Sequence, residues 1–321
     1  MPATSGPTKS DGIFTPNNNR EIYQKISTDY QEIVKLTNQV TEGKPLPAGE
    51  ILLLYEVGMH TRLGLNSRSL RMFAREAARA QEFAEESAFY QSATFLDDPV
   101  FAAIRGTGDA AKMTEAQRRQ VIQKGLQRIL YHWSRRYLEG AAKNGNAGWV
   151  EEGWAIYVGE EQDGKYPNSL AATALAREDN FNKKGSIDEP LRRAMAAGHK
   201  ALLDKNTGAY QEALREMTSR FHALFYLASA RYLNEALKRA QSGKLDNAGV
   251  QMAEGFSFYL SIQPQVAKAD PEADKAIVDY YKSDPAKLTK EARDAALTAL
   301  NRTASALLLT QSDLVTPADF Q

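Results

Sequence analysis

The 321-residue chain contains no cysteine, which removes disulfides, thiolate metal sites, cysteine nucleophiles and c-type haem attachment together. A complete lack of thiols suits an oxidising compartment, where a stray thiol is a liability. No apolar run approaches the roughly 20 residues that span a bilayer, so no transmembrane segment is expected although 43% of residues are hydrophobic. Basic and acidic side chains balance at 40 each, so no net field draws the protein to nucleic acid or to an anionic membrane. The chain also lacks a Gly-rich phosphate loop, a GxSxG elbow and an ExxH di-iron pair. No base–nucleophile constellation announces an enzyme, and a metal-dependent hydrolase is the enzymatic reading that stays open. The opening residues 1–18, rich in Pro, Ser, Thr, Asn and Gly, have neither a charged n-region nor an apolar h-region. They read as a disordered linker, a mature N-terminus with an added Met where a leader was removed.

What is present is a segment that occurs twice. Trp149-Val150-Glu151-Glu152-Gly153-Trp154-Ala155-Ile156-Tyr157 is followed about a hundred residues later by Gln251-Met252-Ala253-Glu254-Gly255-Phe256-Ser257-Phe258-Tyr259. Upstream, Tyr131 and Arg136-Tyr137-Leu138 fall on Tyr226 and Arg231-Tyr232-Leu233 at an offset of 95. Downstream, Asp179-Asn180-Phe181 answers Asp279-Tyr280-Tyr281 at an offset of 100. A unit of about a hundred residues is too long for a short-repeat solenoid and suits a four-helix element used twice. The expectation is an all-α protein of two homologous helical-bundle repeats with pseudo-two-fold symmetry, residues 111–205 and 206–321, preceded by an N-terminal helical subdomain over 19–110.

Helical spacing runs from Asn19 to about Thr41, stopped by Pro45 and Pro47, which lack the N–H the ladder needs. Further helices are expected from Glu50 to about His60 and from a Ser67 cap to about Ser87. A short helix follows, capped by Asp98 with Pro99 in its first turn. A long helix from Thr114 to about Lys143 carries the stripe Leu126, Ile129, Leu130, Trp133, Tyr137 and Ala141, about 120° wide at 100° per residue. Phe221, Leu224, Phe225, Ala228, Tyr232 and Ala236 reproduce it, and His132 lies off the stripe. The Trp149 to Tyr157 helix is apolar nearly all round, which marks the centre of a bundle. Helices from Ser169 to about Phe181 and from Glu189 to about Asp204 complete the first unit; Pro271 and Pro285 mark the matching helix and turn of the second. No convincing strand is read anywhere.

A carboxylate in so apolar a helix costs several kcal/mol unless it is paired. Arg136 and Arg231, equivalent in the two copies, could bridge Glu152 and Glu254 within each unit; alternatively Glu152 belongs to a metal or anion site. Glu151 and His132 have no counterparts, Ala253 and Leu227 standing in their places, and a site can belong to one copy whereas a fold needs the shared residues. His132, Glu151 and Glu152 offer the imidazole and carboxylate set suited to iron, zinc or manganese; Glu254, and Glu76 beside Arg75, are the further candidates. A structural histidine and a helix-bridging Arg75/Glu76 pair are the plain alternatives. His60, His199 and His222 stand alone in sequence and read as structural. Glu160-Glu161 with Asp163 reads as a solvated acidic loop.

The order Phe95-Leu96-Asp97-Asp98, Ile104-Arg105-Gly106-Thr107-Gly108, a long helix, then Trp149 to Gly159 resembles the algal Fe-assimilation protein family, extracellular or periplasmic proteins induced by low iron or high carbon dioxide, with bacterial relatives. The family pattern Trp-x-(Asp/Glu)-Glu-Gly-Trp-Ala-x-Tyr-x-Gly is matched by Trp149, Glu151, Glu152, Gly153, Trp154, Ala155, Tyr157 and Gly159, and the likeness covers roughly residues 67–310. It departs in having Gly148, not a histidine, before Trp149, which leaves His132 as the nearest imidazole. The resemblance implies an exported protein of iron assimilation that binds iron, or an iron-linked anion such as bicarbonate, near Glu152 without catalysis, with a membrane transporter as the partner to expect. A helical scaffold presenting a groove to a partner protein is the reading from another class.

Overall fold

The computed structural model describes residues 18–63, 66–76, 82–162, 166–167 and 169–320. Helices fill them: α1 (Asn18–Asn38), α2 (Ala48–Val57), α3 (Leu70–Glu76), α4 (Ala84–Phe89), α5 (Asp97–Arg105), α6 (Glu115–Asn144), α7 (Ala147–Val158), α8 (Leu170–Asn180), α9 (Asp188–Leu203), α10 (Thr207–Gln241), α11 (Leu245–Tyr259), α12 (Gln263–Ala269), α13 (Pro271–Lys282) and α14 (Lys290–Arg302). The exception is one antiparallel ladder of two-residue strands, β1 (Arg62–Leu63) and β2 (Asn66–Ser67). The expected linker falls outside the described residues apart from Asn18, which opens α1.

Local chemistry sets the helix ends. Thr114 and Gln117 close a reciprocal capping box at the start of α6, the Thr hydroxyl accepting the Gln117 N–H at 3.2 Å and the Gln117 side chain accepting the Thr114 N–H at 2.9 Å. Ser169 and Asp270 cap α8 and α13 through their side chains. The helix expected over 67–87 differs: it is described as α3 and α4, with 77–81 outside the described residues, and its cap is Ser69, which accepts the Met72 N–H at 3.0 Å, while Ser67 pairs in the ladder. Asp98 does not cap α5; it accepts the Ser92 and Thr94 hydroxyls at 2.5 and 2.7 Å.

The two long helices are the axis of the packing. α6 lies against α7, α11, α5, α10 and α1, and α10 against α11, α9, α14 and α6. Every residue of 125–134 in α6 and of 219–230 in α10 is buried, so neither long helix keeps the single apolar stripe read from its sequence. A helix gripped on all sides buries its polar positions too, His132 among them. The buried side chains form one continuous cluster from Tyr23 to Val315, and α1 and α5 contribute to it by packing on α6 and α7.

The glycines of the repeated motif are explained by close approach. A Cβ at Gly153 would sit 3.0 Å from Leu138, and the Gly153 carbonyl accepts the Ser134 hydroxyl at 2.7 Å, which ties α7 to α6. Gly159 ends α7 with φ +69°, and a Cβ there would lie 2.6 Å from Ser27 of α1. The burial of 150–158 on all faces agrees with a central helix. In α11 a Cβ at Gly255 would meet Tyr281 at 2.4 Å and Tyr232 at 2.6 Å.

Bonds of like kind recur along the chain. The Tyr157 hydroxyl donates to Asp188 and the Tyr259 hydroxyl to Asp274, each at 2.8 Å. Tyr210 and Tyr280 donate to the Leu138 and Leu233 carbonyls, each at 2.6 Å. The first pair of bonds likens α9 to α13, whereas the Asp179/Asp279 alignment likens α8 to α13; packing partners and sequence likeness disagree at that point, and the expected pseudo-two-fold order of helices is not confirmed.

Candidate ligand site on the central helix

Glu151 and Glu152 are buried, at 4% and 7% exposure, in the second turn of α7. The partners expected for the glutamates are corrected by the structure. Arg136 bonds Glu82 at 2.8 Å, and Arg231 donates to the Tyr232 hydroxyl at 2.8 Å. Glu254 takes its cation from α6: Lys124 stands 3.0 Å away, and the Tyr232 hydroxyl donates at 2.5 Å. Burial pushes the Glu254 carboxyl upward, but Lys124, the Tyr232 hydroxyl and Arg177 outweigh it and hold the carboxyl below its ordinary value.

His132 is corrected as well. It is buried between Phe83, Phe95 and Tyr131, with ring centroids 5.0, 5.6 and 4.9 Å away, and its Nδ1 lies 2.9 Å from the Arg128 carbonyl. Burial, with Arg128 and Arg135 beside it, pushes its basicity well below that of an ordinary histidine. It is a core imidazole among aromatic rings. The histidine that reaches α7 is His199 of α9, whose Nε2 is 3.2 Å from Glu151 Oε1 with both side chains buried. The two lie 48 positions apart, and no local spacing could have joined them. Glu76 ends α3 at the surface.

Two phenols were also missed. Tyr23 of α1 and Tyr137 of α6 bond hydroxyl to hydroxyl, and their rings pack edge to face at 5.1 Å. Burial raises both phenols, and the Glu152 charge adds to the rise in each. From the same helix α1, Arg20 is drawn down by burial and back up by the Glu151 carboxylate, and its guanidinium sits 5.4 Å over Trp154. Glu151 thus meets an imidazole from α9 and the charge of Arg20 from α1, while the charge of Glu152 bears on a bonded pair of phenols from α1 and α6. Among the described residues no three His, Asp or Glu side chains gather as a metal shell. Of the acidic loop after α7, Glu160 accepts the Thr28 hydroxyl, while Asp163 lies outside the described residues.

No protein family, no curated protein and no solved structure matches this chain. Among the described residues no helix is long and apolar enough to cross a membrane.

Proposed function

We propose that this is a non-catalytic binding protein of iron assimilation, acting outside the cytoplasm and holding iron, or iron with a small anion such as bicarbonate, on the α1 face of α7. The observation that carries it is the buried Glu151–His199 contact at 3.2 Å on α7; Glu152 is the next residue of the same helix, and its charge raises the bonded Tyr23 and Tyr137 phenols. Hard oxygen donors and an imidazole suit ferric iron, and so few protein donors leave part of its shell to an anion or water. The high basicity of both phenols opposes phenolate formation, so the ion has to displace their protons, and uptake should release protons and weaken on acidification. The resemblance of Trp149 to Gly159 to the Fe-assimilation pattern supports the same reading and adds a transporter as the natural receiver of the iron. The like bonds Tyr157–Asp188 and Tyr259–Asp274 support a duplicated unit related by a pseudo-two-fold axis, of which only the first copy carries the site.

Chelator-stripped protein titrated with Fe(III), and separately with Fe(II), Zn(II) and Mn(II), tests it. One ferric ion with a visible phenolate band is expected; Tyr23→Phe should weaken and shift the band, Tyr23→Phe combined with Tyr137→Phe should lose it, and Glu152→Gln and His199→Ala should each weaken uptake about tenfold or more. A wild type that takes up no iron ends this reading. It would favour the scaffold, whose specific support is a groove of about 600 Å³ between α1 and α2 where Leu53 and Met59 are exposed.

A further inference from the structure

On another side of α6, a cavity of about 220 Å³ opens between α1, α6, α8 and α11, lined among others by Tyr30, Lys124, Gln127, Thr173, Arg177 and Phe258. Its polar lining is incompletely paired. Arg177 is 8% exposed, yet its Nε and Nη1 have no hydrogen-bond partner. A buried guanidinium gives up strong hydration, and native structures satisfy such donors or use them. The guanidinium rests 5.7 Å over the Tyr232 ring, so its position is fixed while its edge stays open. Gln127 donates its amide to the Tyr30 hydroxyl at 2.8 Å, which leaves the Tyr30 proton free to give and the Gln127 Oε1 without a donor. Lys124 and Arg177 face one carboxylate, Glu254, so the cavity holds one uncompensated positive charge.

We propose that this cavity binds a small oxyanion that carries its own hydroxyl, of the hydrogencarbonate or hydrogenphosphate class. Arg177 grips two oxygens through its free Nε–H and Nη1–H, Tyr30 donates to an oxygen, and the anion's own O–H donates to Gln127. A drug-sized ligand needs a cavity of roughly 300 Å³ or more, so this one suits a few heavy atoms. Net charge selects an anion, and the orphaned acceptor selects one with a proton to give; carboxylate and sulfate lack that proton and leave Gln127 unpaired. The site does not depend on the iron reading, since none of its groups belongs to the Glu151–His199 pair or to Tyr23 and Tyr137.

Metal-free protein is titrated calorimetrically with hydrogencarbonate, with inorganic phosphate, with sulfate and with acetate near pH 7. One site is expected for hydrogencarbonate or phosphate, with sulfate and acetate at least about tenfold weaker, as for a buried polar group left unpaired. Arg177→Gln should weaken the preferred anion by at least about tenfold. Should that variant not fold, Ala176→Leu fills the cavity from a half-buried position and keeps every charge, and it should abolish binding. Gln127→Leu should bring sulfate and the preferred anion to within about threefold of each other. Glu151→Ala, which touches only the iron reading, should change none of these affinities. Absence of binding by the wild type overturns the proposal, as does Ala176→Leu binding as tightly as wild type; sulfate preferred over both hydroxyl-bearing anions overturns the role given to Gln127.

Discussion

Glu152 and Glu254 occupy the same position in two helices of like sequence, and their surroundings have little in common. Glu254 is held between a lysine 3.0 Å away and a phenol 2.5 Å away, with Arg177 behind them. The charge of Glu152 raises two phenols bonded to each other, and its neighbour Glu151 meets an imidazole from α9. Glu254 is thus compensated by a lysine and a phenol, while Glu151, beside Glu152, is matched with an imidazole. At Glu254 the expected arginine is also exchanged for a lysine, because its cation comes from α6 and not from Arg231.

The largest expected effect breaks that exchange. Lys124→Met leaves Glu254 buried without its cation, which costs about 3–5 kcal/mol for a buried pair losing one member. Lys124→Met combined with Glu254→Gln should recover most of the loss, since the uncompensated charge is then gone. Urea unfolding of both variants measures it; a single variant as stable as wild type would mean that Tyr232 and Arg177 hold the carboxylate unaided.

A second comparison separates the buried histidines from the paired acids by pH. Burial pushes His222 down to about 4 from 6.5, its Nδ1 lying 3.0 Å from the Leu307 carbonyl. Its folded value lies below its unfolded one, so its contribution is intact above the unfolded value and is lost as pH falls from about 6.5 to about 4. At 1.36 kcal/mol per unit this reaches about 3 kcal/mol. His132, also depressed, acts in the same direction. Asp29 acts oppositely: burial raises its carboxyl to about 6, so the folded state takes up its proton first and gains stability as pH falls from about 6 towards 3.8. His222→Gln should therefore flatten the decline in urea midpoint between pH 7 and 4.5, and an unchanged slope would sink the assignment.

How far the sequence revealed this depends on the range of each signal. The helices around 19–41, 114–143 and 169–181, and the centrality of Trp149 to Tyr157, were legible because periodicity and capping are local. Burial of His132 was not, because a stripe read from one helix cannot foresee partners on its other faces; α6 is enclosed by α1, α5, α7, α10 and α11 together. Arg136 and Arg231 looked like partners of the glutamates because they recur with them, yet Arg136 bonds Glu82 and Arg231 bonds Tyr232. His199 and Tyr23 reach α7 from elements far off in the chain, and only folding joins them. Among the described residues the candidate site was thus legible in its carboxylates and illegible in their company.

The smallest expected effect sharpens the comparison at the glycine that follows each glutamate. Gly153 and Gly255 are both mid-helix, where alanine is intrinsically better by about 1 kcal/mol. At Gly255 the new methyl group would lie 2.4 Å from the Tyr281 ring and 2.6 Å from the Tyr232 Cβ. Tyr281 is pinned by its hydroxyl on the Ser229 carbonyl at 2.6 Å, so it cannot swing aside without losing a buried bond. Gly255→Ala should therefore destabilise by about 1–3 kcal/mol, the usual range for overpacking. At Gly153 the nearest atoms are the Leu138 side chain at 3.0 Å and the Ser134 carbonyl at 3.1 Å, so a few tenths of an ångström of movement suffices. The helical gain then nearly offsets the strain, and Gly153→Ala should change stability by less than about 1 kcal/mol. Equal losses at the two glycines in parallel urea melts would mean that Leu138 is as immobile as Tyr281, and that the two crossings are alike in stiffness although they differ in residue.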